Sequence, residues 1–293
     1  MAAAATLIAV RTRFTDLVGC KLPLQLAVLG AVGTEELAQA VAAAGGLGML
    51  PMGLRLPSDP AGTLGMGFLL PYLPTFDGIA QQTRGARVVE FFWGEPEAAA
   101  VAAGHDAGAL VSWQVGSGAE AVLAERAGCD LVVIQGIEAG GHVRGRGPLD
   151  ELLRDTLAQV SIPVVAAGGI GTPERVRGLI DMGAQAVRIG TRFLAAREAG
   201  VHPQYLEALI AASAADTVLT DHFDDDGDWP GTVRVIRASL EGAQSAGNRS
   251  TMPAAIGFDQ PGVMPWYAGL SIDHIHRSQS GAEIVAELTS LLD

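Results

Sequence analysis

Two glycine-rich turns, each placed directly after a short β-branched run, constrain the fold of this chain more than any other feature. The first turn, within Ile162–Glu174, contains a double glycine, and the second, within Ala186–Phe193, contains a Gly-Thr pair. A helical pattern follows each turn, so backbone N–H groups and the positive end of a helix would face one point, which suits a phosphate. In a parallel (β/α)8 barrel the seventh and eighth strands end in such turns and together bind phosphate. The sequence therefore predicts a phosphorylated cofactor.

A dinucleotide-binding reading of the first turn does not fit. Glu174 stands where the third glycine of that fingerprint would pack a helix on a strand. Thr172 and Pro173 instead predict an N-cap and a first helical residue. The alternative that the glycines only close turns stays open, because glycine serves turns so often.

Composition bounds the class of protein. The 293 residues are 49% hydrophobic, 17% charged and include 38 glycines, which suits buried parallel strands joined by tight loops. The net charge of −13 disfavours nucleic acid or an anionic membrane as a partner. Cys20 and Cys129 form no redox or metal pair, and Met1–Val10 lacks a basic n-region. We therefore expect a cytoplasmic protein.

Eight strand-like runs alternate with alanine-rich helical patterns, as in a parallel sheet. The predicted strands are Leu22–Leu29, Leu47–Leu50, Gly65–Leu70, Arg87–Trp93, Ala109–Gln114, Asp130–Gln135, Ile162–Ala167 and Ala186–Ile189. The fold class that this predicts is α/β, a (β/α)8 TIM barrel with an irregular excursion after strand eight. We expect one cofactor-binding domain over residues 1–293, with 217–280 as the post-barrel excursion.

The helical patterns complete the barrel with two exceptions. The predicted helices are Thr34–Ala44, Glu95–His105, Gly118–Ala127, Leu149–Val160, Pro173–Met182, Pro203–Ser213 and Ala282–Leu292. Pro51–Leu64 is too rich in proline and glycine for a normal helix, and Pro71–Gly85 allows only a short one. One wall of the barrel is therefore thin or covered by a partner, which leaves a homo-oligomer open.

The reacting groups of such a barrel lie at the C-terminal ends of its strands. After the sixth strand, Gln135 stands at the strand tip, and Gly140 and Gly141 deliver His142 on a flexible segment. A neutral histidine can accept a proton near neutral pH, so His142 is the candidate base, with a surface histidine as the alternative. Gln114 ends the fifth strand, where its amide could bond a polar ring edge or serve the strand alone.

No metal site is predicted. The acidic run Asp224–Asp228 resembles a calcium loop, but His222 and Val233 occupy its first and last ligand positions. His274 and His276 have no third ligand near them in the sequence.

At these residues the chain resembles the nitronate monooxygenase family, formerly called 2-nitropropane dioxygenases, which are FMN-dependent TIM barrels. The segment Gln135–His142 is similar to the central signature of that family, and Ala166–Ile170 and Gly190–Leu194 are similar to its two phosphate turns. Ala43–Gly48 is a weaker landmark. The flavin-dependent enoyl-ACP reductases share nearly all of these motifs, so the resemblance is stronger for fold and cofactor than for reaction.

The resemblance implies His142 as catalytic base, Gln135 and Gly140 as flavin contacts, Gly169 as a phosphate contact and Gln114 as a residue facing the flavin ring. The cofactor-binding residues that it implies are Ala27, Val28, Leu29, Gly67, Gln114, Gln135, Gly140, Gly141, Ala167, Gly168, Gly169, Arg188, Ile189, Gly190 and Thr191.

Two departures change the pocket. Ala27–Leu29 replaces the Ala-Pro-Met that usually lies beneath the isoalloxazine, and Gly67 stands where many members carry asparagine. These changes indicate a divergent member of the family.

The function that the resemblance implies is FMN-dependent oxidation of a nitronate or nitroalkane, with the small-molecule substrate and O2 as partners. An NAD(P)H-dependent flavin reductase of an enoyl thioester or quinone, and a non-catalytic FMN-binding barrel, stay open as alternatives.

Overall fold

Eight parallel strands form a closed barrel in the computed structural model, which describes residues 10–59, 61–73, 75–223, 231–250 and 261–292. Numbered with the three additional strands in chain order, they are β1 (Leu24–Leu26), β2 (Gly48–Pro51), β3 (Leu64–Leu69), β4 (Val88–Phe92), β5 (Leu110–Val115), β6 (Leu131–Gln135), β8 (Val164–Ala167) and β9 (Ala186–Ile189). They pair in the order β1-β9-β8-β6-β5-β4-β3-β2, and a bridge between Gln25 and Leu47 closes the ring. The predicted (β/α)8 barrel and all eight of its strands are confirmed.

The seven predicted helices lie close to their predicted bounds, and four further helices accompany them in the described part of the chain. They are α1 (Arg13–Val18), α2 (Glu35–Ala43), α3 (Ile79–Gln82), α4 (Ala98–Asp106), α5 (Gly118–Ala127), α6 (Leu149–Gln159), α7 (Pro173–Asp181), α8 (Thr191–Leu194), α9 (Pro203–Ala211), α10 (Arg237–Ala246) and α11 (Gly281–Leu288). Thr34 and Thr172 cap α2 and α7 with their side chains, because each hydroxyl accepts an N–H of the first turn. Thr172 and Pro173 thus have the roles predicted for them.

The two thin connections are also confirmed. Among the described residues between β2 and β3 there is no helix, and α3 has four residues. The segment from Pro51 to Leu64 contains three prolines, which lack the backbone N–H that helical hydrogen bonds need. The glycines among them do not restrict φ to helical values.

One ion pair lies inside the barrel, and an aromatic pair packs on the outer face of its strands. The ring centroids of Phe91 of β4 and Trp113 of β5 lie 5.2 Å apart, and both side chains are fully buried. Because side chains alternate along a strand, these rings face away from the interior that Glu90 faces. Glu90 of β4 pairs with Arg188 of β9 across the barrel and also accepts the side-chain amide of Gln25. Because a buried charge is tolerated only with a partner, these two strands are electrostatically coupled.

The excursion after the barrel is more regular than predicted. Its described part contains β10 (Thr217–Thr220), β11 (Val233–Ile236) and α10. The strand β11 pairs antiparallel with β10 and with β7 (Gly141–His142), which lies in the loop after β6. The excursion therefore fixes the loop after β6 through the pairing of β11 with β7. The acidic run Asp224–Asp228 and most of Met1–Val10 lie outside the described residues.

None of the helices in the described ranges is long and apolar enough to cross a membrane. The same residues contain no group of three or more His, Cys, Asp or Glu side chains placed to hold a metal ion.

The buried ion pair generates a stability prediction. Glu90→Gln leaves the charge of Arg188 without a counter-ion, and we expect it to lower the free energy of unfolding of the flavin-free protein by about 3–5 kcal/mol. The double variant Glu90→Gln/Arg188→Met removes both charges and should recover most of that loss. Urea unfolding measures both. Asp181→Asn, which breaks the exposed pair with Arg177, is the control and should cost less than about 0.5 kcal/mol. A double variant as unstable as the single one would contradict the prediction.

Candidate active site

One cavity of about 750 Å³ opens at the C-terminal ends of the barrel strands, and it brings nearly all of the predicted site residues together. A cavity of this size can hold a cofactor and a small substrate. The predicted residues that line it are Ala27, Val28, Leu29, Gly67, Gln114, Gln135, Gly140, Gly141, His142, Ala167, Gly168, Gly169, Arg188, Gly190 and Thr191. Ile189 is the exception, because its side chain is buried away from the cavity and its carbonyl bonds the N–H of Ala27.

The first glycine turn has the backbone that only glycine adopts readily. Gly168 and Gly169 have φ of 113° and 67°. A Cβ on Gly169 would lie 2.8 Å from the Cβ of Glu138, so the turn has no room for a side chain. Within the described chain the N–H of Gly169 donates no hydrogen bond. A half-buried donor of this kind suits a phosphate oxygen.

The second turn contributes a backbone N–H and a hydroxyl. The N–H of Gly190 likewise donates to no described residue. The Thr191 hydroxyl accepts the N–H of Gly269 at 2.9 Å and keeps its own proton for another acceptor. Because α8 is one turn long, its dipole adds little here, and the attraction comes from local donors. Both turns fit the phosphate of a flavin nucleotide.

Glu138, the carboxylate of the signature, has a structural role. Its two oxygens accept the N–H of Leu149 at 3.0 and 3.1 Å, at the start of α6. Pro148 precedes this helix and supplies no side-chain cap. Glu138, which lies eleven residues before Leu149 in the chain, therefore caps the N-terminus of α6. Its side chain also fills the space next to Gly169.

His142 is held rigidly, which differs from the flexible delivery that the double glycine predicts. It belongs to β7, which pairs with β11. The amide of Gln135 donates to the carbonyl of His142 at 3.0 Å and accepts the N–H of Arg144 at 2.8 Å. Gln135 thus positions the histidine through the backbone. The strand that fixes His142 belongs to the excursion, about ninety residues further along the chain. The local sequence around the double glycine could therefore not show that this segment is held in place.

Two aromatic rings enclose the His142 imidazole. Trp93 lies at 5.8 Å and Tyr267 at 5.9 Å from it, measured between ring centroids. The side chain is 7% exposed, and burial lowers the pKa of His142 to about 3. At neutral pH the ring is therefore neutral, as predicted, but it is a much weaker base than an ordinary histidine.

The cavity floor combines an amide with the ion pair of the barrel. Gln114 near the end of β5 is 4% exposed and lines the cavity, as do Glu90 and Arg188. The guanidinium of Arg188 thus lies inside the barrel with Glu90, two residues before the turn at Gly190 to which the resemblance assigned it.

The two departures from the family pattern are physically one change. A Cβ on Gly67 would lie 2.4 Å from Cγ2 of Val28. The valine side chain therefore occupies the space that a larger residue at position 67 would need. The pocket floor keeps its volume filled, but with a methyl group instead of an amide.

Sequence reasoning missed the aromatic wall of the cavity. The chain has three tyrosines, and Tyr72, Tyr205 and Tyr267 all line the cavity together with Trp266. Because tyrosine is so scarce in this chain, its few positions could have been singled out from the sequence as candidates. Trp93 was missed as well; in the described ranges it is the one non-glycine residue with positive φ, at 65°, and such backbone strain collects at functional sites.

The comparisons with known proteins agree with this geometry. The nitronate monooxygenase family model matches residues 72–290. A nitronate monooxygenase of Pseudomonas aeruginosa is 33% identical over 267 residues, which cover 71% of this chain and 76% of that protein. A Mycobacterium tuberculosis protein named (3aS,4S,5R,7aS)-5-hydroxy-7a-methyl-1-oxo-octahydro-1H-indene-4-carboxyl-CoA dehydrogenase is 28% identical over 290 residues, 90% and 79% of the two chains.

Solved structures extend the likeness over the whole barrel. FabK from Thermotoga maritima superposes with a TM-score of 0.82 at 29% identity over 96% of both chains. Nitroalkane oxidase from Streptomyces ansochromogenes gives 0.77 at 26% identity over 95% and 97% of the chains.

The barrel fold and the family match identify a TIM-barrel oxidoreductase of the flavin-dependent type. The chain belongs to the nitronate monooxygenase family.

The contact between Gly67 and Val28 generates a double-variant prediction. Gly67→Asn alone should destabilise the protein by about 1–3 kcal/mol, because the new side chain overlaps Val28. It should also weaken flavin retention, because the overlap lies in the cavity wall. Combining it with Val28→Ala opens the space, and we expect a favourable coupling of about 0.5–3 kcal/mol. Urea unfolding and flavin content of the four proteins measure it. Additive effects of the two substitutions would show that the residues are independent.

Proposed function

We propose that the protein is an FMN-dependent oxidoreductase that oxidises a nitronate and uses O2 as electron acceptor. The observation that carries the proposal is the convergence of both glycine turns and of His142 on one cavity. Bound FMN would supply the two-electron redox chemistry, while the protein binds, orients and shields the reactants.

FMN is favoured over FAD because the cavity has one phosphate cradle. Gly168, Gly169, Gly190 and Thr191 would hold a single terminal phosphate through backbone N–H groups and a hydroxyl. The sequence contains no fingerprint for an adenosine-bearing dinucleotide.

The preformed nitronate is favoured over the neutral nitroalkane as the substrate. With its pKa lowered to about 3 by burial, His142 is poorly suited to remove a carbon-bound proton. A neutral imidazole N–H can still donate a hydrogen bond to the oxygen of an anion, and such fixed donors stabilise charge in an enclosed site. His142 therefore acts as an electrostatic partner of the nitronate.

A flavin reductase of an enoyl thioester or quinone is the second candidate. The named relative from Mycobacterium tuberculosis is a dehydrogenase of a carboxyl-CoA, which is a thioester. The neutral donors and the apolar wall of the cavity would also suit a neutral carbonyl compound.

Anaerobic mixing of the flavin-loaded protein with a nitronate, and separately with NADPH, distinguishes the candidates. We expect the nitronate to bleach the flavin and added O2 to restore its colour. Bleaching by NADPH alone would establish the reductase instead, and bleaching by neither would indicate a barrel that binds FMN without turnover.

The phosphate turns generate a cofactor prediction. We expect the purified protein to release FMN on denaturation, and Gly169→Asp and Gly190→Asp each to abolish its retention, because a carboxylate would then face the phosphate dianion. Flavin content per folded protein, checked by circular dichroism, measures this. Gly178→Asp adds the same charge on the exposed face of α7 with open space around it, and should retain FMN. Recovery of FAD, or full occupancy in either cavity variant, would place the cofactor elsewhere.

A second prediction concerns His142→Ala. We expect it to keep FMN and to lower kcat/KM for a preformed nitronate about 10- to 100-fold, the scale of one hydrogen bond to a charged group. His105→Ala, at an exposed surface pair with Asp130, is the control and should act like wild type. An additional loss of about 10²–10⁴-fold with the neutral nitroalkane would instead assign His142 as a general base.

A further inference from the structure

Two tyrosines of the cavity wall, Tyr205 and Tyr267, differ in whether their hydroxyl groups are hydrogen-bonded to the protein. Tyr205 donates its hydroxyl to the backbone carbonyl of Tyr267, and its ring stacks on Trp266 at 5.7 Å with an interplanar angle of 9°. The hydroxyl of Tyr267 makes no hydrogen bond to any residue in the described ranges, and it is not among the sealed polar atoms of the interior. Tyr267 lines the cavity, so its unengaged hydroxyl is a donor available to a ligand that binds there.

Tyr267 is held beside His142 in the cavity wall. Its ring lies 5.9 Å from that of His142. Its backbone is fixed by the bond from Tyr205 and by an antiparallel bridge to Val235 of β11. Burial, and second the nearby Tyr72, raise the pKa of the Tyr267 phenol above its ordinary value, so it remains a donor across the physiological range.

Among the described residues that line the cavity, no lysine or unpaired arginine is available to meet the charge of an anionic substrate. Of the ionisable side chains that line it, Arg188 is paired with Glu90, and His142 is neutral. His202 accepts the N–H of Gln204 on Nδ1, so this ring nitrogen already bonds the first turn of α9. The segments outside the described ranges contain no lysine, arginine or histidine in their sequence. Neutral hydrogen-bond donors must therefore stabilise the anion.

We propose that Tyr267 is a substrate-binding residue whose phenol O–H donates a hydrogen bond to the anionic oxygen of the nitronate, beside the donor of His142. The assignment rests on the proposed function, which supplies the anion. A donor that makes no other bond and is fixed in place loses little freedom on binding, so its hydrogen bond contributes fully to affinity. Tyr205, whose hydroxyl already bonds the protein, supports Tyr267 without touching the anion.

Butanoate provides the test, because its carboxylate resembles the nitronate group and cannot be oxidised in the same way. Its Kd for the FMN-loaded protein is measured from the perturbation of the visible flavin spectrum. We expect Tyr267→Phe to raise this Kd about 10- to 100-fold with flavin content unchanged. Tyr205→Phe is the matched control: it removes a hydroxyl from the same wall but keeps the bridge between Tyr267 and Val235, so it should lower the Tm and raise the Kd much less than Tyr267→Phe does.

The outcomes separate this assignment from the proposed function. Wild-type protein that binds butanoate through Tyr267 but oxidises no nitronate would overturn the proposed function and support the assignment of Tyr267. Three results would overturn the assignment: a Tyr267→Phe variant that binds butanoate as tightly as wild type, an equal loss in Tyr205→Phe, or no binding of butanoate by the wild-type protein.

Discussion

The side-chain amide of Gln135 holds the segment on which the candidate active site depends. It bonds the carbonyl of His142 and the N–H of Arg144, and so joins the tip of β6 to the strand β7. Because β7 also pairs with β11, the same segment connects the barrel to the excursion after it. Without the amide, two backbone groups in a largely buried loop would lose their partners, and the histidine would lose its fixed position. The position of His142 at the cavity therefore depends on the side chain of Gln135.

The electrostatics of the cavity follow from burial more than from charge. Glu90 and Arg188 neutralise each other in the barrel interior, and enclosure by Trp93 and Tyr267 keeps His142 neutral. Although the chain has a net charge of −13, the carboxylate and the guanidinium among the described residues that line the cavity are paired with each other. In a largely buried environment fixed dipoles act strongly, because the low dielectric of the surrounding protein screens them little. This is the physical basis for expecting neutral donors, and not a cation, to orient the substrate.

The excursion after the barrel supplies much of what makes the site particular to this chain. Trp266 and Tyr267 come from it, and Gly269 in the same segment bonds the hydroxyl of Thr191 in the second phosphate turn. The second glycine turn and the aromatic wall of the cavity are therefore in direct contact. A substitution in the wall can alter flavin retention, and occupancy of the turn can alter the wall.

The sequence alone determined the barrel, its strand order in outline and the two glycine turns, because these depend on local signals. Short β-branched runs, caps such as Thr172, and glycines at positive φ are readable within a few residues. Tertiary structure decided the rigidity and low pKa of His142, the pairing of Arg188 with Glu90, the filling of Gly67's space by Val28, and the tyrosine wall. Each of these depends on contacts between residues far apart in the chain, and burial and pairing are properties of the packed molecule that no local pattern encodes.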